Sequence, residues 1–256
     1  MRVRDLIPRI ATTNNAVEWV KTNSIIHAAS PQTSEGSAKE ESTYTFTIDS
    51  SPVRTIAHWV PASQQALDDW DALRGAIEFE LLKGLADKED QQLLTGDGTG
   101  VNISGLVTEA TAYNTGLNVS GDTRIDKLRH AMLQLQQLDR SPDAVVLHPN
   151  DWSAITLIKT EEGGANTGPY ILGGPAASPQ QTIWGLRVAT TTAMTSGYFL
   201  VGAFAEGAFV ADRMSATIDV SDSHADYLTK NLVAIRCEER IALVVKRADY
   251  FVYGAF

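Results

Sequence analysis

Between Pro61 and Gly100 the large apolar residues fall at steps of three and four: Leu67, Trp70, Leu73, Ile77, Leu81 and Leu85. That spacing lines one face of an α-helix. It predicts one helix from Ala62 to about Leu94, with Ser63 as N-cap behind Pro61 and Asp68 and Asp69 near the positive end of the dipole. Gly96, Gly98 and Gly100 supply the permissive backbone that ends it. Such a helix runs roughly 48 Å at 1.5 Å per residue, while a compact chain of this length is only about 46 Å across. One helix would therefore cross the whole molecule. That favours a flat plate over a globule, and plates of this kind tile.

The pattern changes upstream. Residues 1 to about 21 carry short apolar runs broken by Pro8 and the Thr12–Asn15 turn cluster, and read as an arm and a first strand. Residues 22–43 are rich in Ser, Thr, Glu and Gly, with no large apolar residue after Ile26, and cannot build a core of their own. Tyr44, Phe46 and Ile48 then alternate with polar residues, and Val53–Val60 is a further strand-like run. Two strands around a polar tip predict a long hairpin projecting from the body.

Downstream the texture is that of an α/β lobe. Asp122 or Thr123 can cap a helix from Arg124 to Leu138 that buries Ile125, Leu128, Met132 and Leu135. Ala144–His148 is nearly all apolar, the pattern of a strand covered on both sides. Pro149 opens a helix with Trp152, Ile155 and Ile158 inward, and residues 161–181 read as an exposed loop. Strands resume at Ile183–Thr190 and Tyr198–Phe204. Long strands close the chain: Ala216–Val220, Tyr227–Val245 and Tyr250–Phe256, the last placing Phe256 in a sheet.

Composition narrows the function. The single cysteine, Cys237, excludes an internal disulfide and fits a reducing cytoplasm; beside Arg236 on a strand it points to the opposite face and reads as a buried structural thiol. No stretch is apolar enough to span a bilayer. The net charge of -10 argues against a surface that grips nucleic acid. It fits either an ordinary acidic cytoplasmic protein or a surface that encloses polyanion without sticking to it.

Catalytic and metal signatures are weak. The GDGTG cluster lacks the P-loop lysine and follows a helix, whose C-terminus repels phosphate; it reads as a helix stop. His148, Asp151 and Ser153 lie close in sequence, but no G-x-S-x-G elbow accompanies them. The five histidines are scattered without ligand spacing, so no metal or cofactor is expected. Arg236, Glu238 and Arg240 alternate on one strand face. Such a row is either a solvated face or an intersubunit contact with complementary charges across it.

Several short runs taken together resemble the major capsid protein of tailed bacteriophages of the Hong Kong ninety-seven type. They are TIAHWV at Thr55–Val60, LLTGDGTG closing the long helix, GDTR at Gly121–Arg124, LHPNDW, YILGGP, IWGL at Ile183–Leu186, DRM at Asp212–Met214, and KN…CEER…AL. The resemblance covers nearly the whole chain in order. It implies an α+β phage-capsid fold with a spine helix, an extended loop, a peripheral domain and an α/β axial domain. By position, 1–19 would be a short arm and first strand, 20–60 the extended loop, 61–105 with 205–256 the peripheral domain, and 106–204 the axial domain. The segment near 211–231 would cluster at local threefold axes, which makes Trp59, Asp212, Arg213, Arg236, Glu238 and Arg240 candidate interface residues.

The resemblance further implies self-assembly through hexamers and pentamers into an icosahedral shell around double-stranded DNA, without sequence-specific binding. The partners implied are further copies of the chain and scaffold, portal and decoration proteins, with no membrane; the protein would assemble in a bacterial cytoplasm and reside in the virion. Family precursors often carry a removed scaffolding segment and then an arm, whereas this chain starts almost at its first strand. In the family a loop lysine can join an asparagine of another subunit, with a glutamate as general base. Asn231 and Glu238 match the latter two, but Ile48 stands at the lysine position and has no nucleophile. Lys39, elsewhere on the loop, is a weak substitute. A shell held by noncovalent contacts is therefore expected. Gly75 and Gly84 would let the spine bend differently in different subunit environments or assembly stages. The alternatives are an encapsulin nanocompartment, which shares the fold, and more distantly a cytoplasmic hydrolase using His148 and Ser153.

Overall fold

The alternating runs form three sheets, and the long helix packs on the four-stranded one. The computed structural model describes residues 1–32, 34–36, 38–69, 71–160, 168–173, 181–224 and 226–256, and the side chains of these except at 68, 69, 71 and 72. The first strands are β1 (Arg9–Ala11), β2 (Ala16–Ile26), β3 (Thr43–Pro52) and β4 (Arg54–Ser63), followed by helices α1 (Gln64–Asp69), α2 (Asp71–Thr95) and α3 (Leu106–Glu109). Next come β5 (Thr111–Ala112), α4 (Arg124–Gln136), β6 (Ala144–Leu147), α5 (Pro149–Thr156), β7 (Thr182–Ile183), β8 (Leu186–Thr190) and β9 (Tyr198–Gly202). The chain then runs through α6 (Phe204–Gly207), β10 (Ala208–Ser221), α7 (Tyr227–Lys230), β11 (Leu232–Val245) and β12 (Phe251–Ala255). The sheets have the orders β1-β10-β11-β4, β5-β12-β9-β6-β8-β7 and β2-β3.

The helical run starts later than its sequence signals indicate. Ala62 and Ser63 pair with Val233 and Leu232 as the end of β4, and α1 begins at Gln64, so Ala62 belongs to the strand while Ser63 stands directly before the helix, at the expected N-cap position. Pro61 is tolerated there because β4 is an outer strand of its sheet, where one row of backbone N–H groups has no ladder to join. Trp70 lies outside the described residues. The 25 residues of α2 alone run about 37 Å. Leu81 and Leu85 are buried, with Leu67 and Ile77 packed beside them, against Val233, Ile235 and Cys237 of β11. Leu73 departs from the expected stripe and is exposed.

The glycine-rich stop works by close approach. A Cβ on Gly96 would sit 2.1 Å from the Ile103 carbonyl oxygen, so only glycine lets the returning chain lie on the helix end. The Gly105 N–H donates to the Gly96 carbonyl at 2.9 Å across that contact. Asp97 turns its carboxylate onto the Thr99 hydroxyl and N–H and onto Asn102, which holds it down at about 2. The cluster is a helix stop that satisfies its own polar groups.

The hairpin is β2 with β3, paired antiparallel with Val20 opposite Ile48 and a register shift between Thr22 and Ser24. Its arms span 16–26 and 43–52. The Val53–Val60 run, expected within the hairpin, is instead β4 and pairs with β11.

The lobe follows its pattern closely. Thr123 caps α4 through a capping box with Asp126, and Ile125, Leu128, Met132 and Leu135 are all buried. All four residues of β6 are buried, between a parallel β8 and an antiparallel β9. Helix α5 stops at Thr156, earlier than its apolar pattern indicated. Of the loop expected at 161–181, residues 161–167 and 174–180 lie outside those described. Trp184 and Gly185 (φ 52° and 82°) form the two-residue turn between β7 and β8, the left-handed pair that such hairpins need.

The C-terminal stretch departs from expectation twice. Tyr227–Lys230 is a helical turn closed by Asn231 in the left-handed conformation (φ 51°), and only then does β11 begin. Strand β12, expected with the peripheral strands, lies inside the six-stranded lobe sheet between β5 and β9. Conversely β1, from the predicted arm, joins the four-stranded sheet parallel to β10. One apolar cluster spans the junction, from Val3 and Leu6 through Leu93 and Leu94 to Leu243 and Phe251.

Candidate functional site

Three groupings of residues stand out: a charged ladder, an uncovered apolar hairpin face and a buried ionic cluster. The ladder lies on β10 and β11. Alternation does bring Arg236, Glu238 and Arg240 onto one face. Arg236 Nη2 meets Asp219 of β10 at 2.9 Å and its Nη1 meets Glu238 at 3.3 Å, while Arg240 donates to Glu238 at 2.7 and 2.9 Å. Glu238 thus has both carboxylate oxygens engaged by guanidiniums and is buried, with the two arginines more open on either side. Trp59 is the register partner of Arg236 on β4 and remains 49% exposed. Its ring lies 5.2 Å from His224 and 6.5 Å from Tyr227, an aromatic edge to the same hollow that Asp219 and Arg236 line.

The other expected interface residues lie apart from this ladder. Asp212 turns to Arg4, which grips both its oxygens at 2.7 and 2.8 Å. Arg213 donates to Asn15 at the base of the hairpin. Asn231 is exposed, and its carbonyl accepts the Gln64 N–H at 2.9 Å.

On the hairpin, Ile48 is 78% exposed, directly across from Val20 and two residues from Phe46, which is also exposed. Tyr44 stacks on Phe46 with centroids 6.5 Å apart. These side chains share one face of the two-stranded sheet, since residues two apart on a strand point the same way. No nucleophile stands at position 48. The arrangement offers hydrophobic contact.

The hydrolase constellation dissolves. His148 caps α5, its Nδ1 accepting the Asn150 N–H at 3.1 Å. Asp151 is buried, paired with Arg124 at 2.9 Å and accepting the Gly197 N–H at 2.7 Å. Ser153 is exposed on α5. Cys237 faces away from the ladder, buried under α2, and burial pushes its thiol up. Among the described residues no group of three or more His, Cys, Asp and Glu side chains could hold a metal ion, and no helix is long and apolar enough to cross a membrane.

The ionic cluster has no counterpart in the sequence reading. Arg2 and Arg4, in the 3-10 turn Val3–Leu6 and just before it, reach α2 and the four-stranded sheet. Arg2 donates to the Ala86 carbonyl and to Glu89, both at 2.7 Å, and meets Asp90 at 3.3 Å. Arg4 binds Glu89 closely, Asp212 bidentately and Glu239 at 3.4 Å. Glu89, Asp90 and Glu239 are all buried. The signal was present: Glu89 continues the four-residue steps of Leu81 and Leu85 and precedes Leu93, so it falls on the buried face of α2.

A long helix packed on a four-stranded sheet, a separate two-stranded hairpin and an α/β lobe are the architecture of a capsid-type fold. The chain belongs to the phage capsid family, whose model matches residues 1–256. It is 43% identical over 256 residues to the major capsid protein of Enterobacteria phage HK97, and spans 65% of that protein's length. Its fold also matches the capsid of a native GTA particle (TM-score 0.76, 16% identity, covering 100% of this chain and 89% of that one). A capsid structure of phage G with its decoration proteins matches with a TM-score of 0.72 at 10% identity, covering 99% and 89% of the two chains. The fold is thus the mixed α+β capsid architecture, and the encapsulin alternative is not favoured.

Proposed function

We propose that this protein is a major capsid protein that assembles through hexamers and pentamers into an icosahedral shell enclosing double-stranded DNA. It acts structurally rather than as an enzyme. The observation that carries this reading is the hairpin: among the described residues its Val20, Phe46 and Ile48 side chains stand largely exposed. Several exposed large apolar residues on one projecting element mark an interaction surface. In the family relationship such a surface fits overlap with a neighbouring subunit. Residues 16–52 act as the extended loop, α1, α2 and the β1-β10-β11-β4 sheet as the peripheral domain, and the six-stranded sheet with α4 and α5 as the axial domain.

The ladder of Arg236, Glu238 and Arg240, with Trp59 beside it, is the second contact, setting register by charge complementarity more than affinity. Asp212 serves within the subunit, through Arg4. The shell is held noncovalently, because Ile48 supplies no amine and Glu238 is tied to two arginines. Decoration, portal and scaffold proteins would bind the assembled form. Sedimentation of the purified chain and of Ile48→Asp tests the reading. The parent sediments as rings or shells and the variant as monomer. Equal sedimentation of the two would remove the hairpin face from the account.

A further inference from the structure

A two-residue turn of the kind that joins β7 to β8 holds both central residues at positive φ, which suits Asn or Gly. Gly185 at 82° conforms, whereas Trp184 is held at 52°. For a bulky side chain that conformation is costly, and it persists only where the surrounding structure imposes it. Ile183 and Leu186, paired across the turn and both buried, impose it here. The indole they hold up is 55% exposed. A Cβ at Gly185 would meet nothing within 4 Å, so the tip stands clear of the rest of the chain. An asparagine at position 184 would relieve the backbone and keep the turn. The folding of one chain therefore gives no reason for a tryptophan.

The place of the turn in the sheet supplies one. Strand β7 is outermost at one end of the order β5-β12-β9-β6-β8-β7, and β5 is outermost at the other. Five strand spacings separate them, roughly 24 Å at about 4.8 Å each. The loop that leaves β5 is tied back through Tyr113, whose N–H donates to the Tyr253 carbonyl and whose hydroxyl donates to Asn118. On that loop Val119 is 64% exposed. Its N–H donates to the Asp122 carboxylate at 2.6 Å, and Asp122 pairs with His130 of α4 at 3.2 Å. Two firmly held apolar residues thus stand exposed at opposite ends of one sheet, too far apart to meet within a chain. Subunits that close a ring meet through unlike patches, the front of one against the back of the next.

We propose that Trp184 anchors the contact between neighbouring lobes: the indole of one subunit packs on the β5 end of the next subunit's lobe, around Val119. The proposal rests on the ring assembly inferred above and names the two surfaces that meet in it. Tryptophan suits the task, because a rigid ring buries much apolar area at little entropic cost and such anchors dominate contact energies. The left-handed backbone is a cost carried by every free subunit and offset only on association.

The test is hydroxyl-radical footprinting, read by mass spectrometry, of the full chain as dissociated subunits and after assembly. Oxidation of Trp184 should fall about fivefold on assembly, as its ring enters a desolvated contact, and Val119 should be protected with it. Trp152, already packed against the lobe core, serves as the internal reference. Trp184→Asn should unfold at the temperature of the parent or above it, yet form no closed particles. Equal oxidation of Trp184 in subunits and particles, or normal assembly of the variant, would overturn the proposal and leave the capsid function standing. Protection of Trp184 with Val119 unchanged would overturn the pairing with the β5 end. A parent that never associates would overturn the capsid function and this contact together. Footprinting uses the parent alone, so it decides even where the variant does not fold.

Discussion

His58 lies against the bare backbone of Gly84. The His58 Nε2–H donates to the Leu81 carbonyl at 2.8 Å, and its Cε1 would be 3.0 Å from a Cβ built on Gly84. A glycine in a helix interior, read from sequence as a point of bending, is thus the seat on which β4 packs against α2. Gly75 differs, because a Cβ there meets nothing within 4 Å.

That contrast makes a thermodynamic cycle informative. Gly75→Ala should stabilise the chain by up to about 1 kcal/mol through helix propensity alone. Gly84→Ala should give no gain in the parent, because His58 cannot retreat without losing its bond to Leu81. In a His58→Ala background the same change should recover a gain of about 1 kcal/mol. Denaturant unfolding of the four variants measures this. An equal gain from Gly84→Ala in both backgrounds would mean that the contact is not felt.

The lobe gives a prediction with a pH sign. Thr123→Ala removes the N-cap of α4 and should cost about 1 kcal/mol. The Thr123 hydroxyl and N–H, bonded to Asp126, hold that carboxyl below its usual range. Stability from this pair is therefore complete above the ordinary carboxylate range and is lost as pH falls from that range through the lowered value of the folded state. Thermal unfolding across that range should show a steeper acid decline in the parent than in Thr123→Ala.

The two contact surfaces should respond differently to mutation. Arg236→Ala, whose shortest pair is with the exposed Asp219, should change monomer stability by less than about 1 kcal/mol. Arg240→Ala strips both donors from the buried Glu238 Oε1 and should cost about 1–3 kcal/mol. Each should slow association in a salt-dependent way. Phe46→Asp on the hairpin should leave monomer stability unchanged and abolish association at every salt concentration. Light scattering during assembly, compared at low and high salt, separates the two effects.

Noncovalent assembly has a direct signature. Boiled in detergent, assembled particles should run as single chains on denaturing electrophoresis, because Ile48 offers no amine to Asn231. A ladder of covalent multimers would contradict this and would direct attention to Lys39 or Lys21 on the hairpin.

How far the sequence reaches depends on whether an element is specified locally. Helix α4 was legible because a capping box and four apolar residues at helical spacing act within fifteen residues of one another. Strand β6 was legible because four consecutive apolar residues require cover on both faces. The placement of β12 was not: its residues announce a strand, but its partners β5 and β9 come from distant parts of the chain. At Ala62 the helix signals competed with strand pairing to Val233, and the pairing won. The ionic cluster escaped because charged residues ordinarily face water. Only the phase of Glu89 with Leu81 and Leu85 betrayed it.

The central claim, that this chain builds a closed shell, is tested most directly by electron microscopy of the purified protein under assembly conditions. Closed particles are expected, with surfaces that resolve into rings of six and five subunits and each hairpin lying over a neighbour. A protein that stays monomeric across salt and concentration, or particles whose hairpins touch no other subunit, would contradict it.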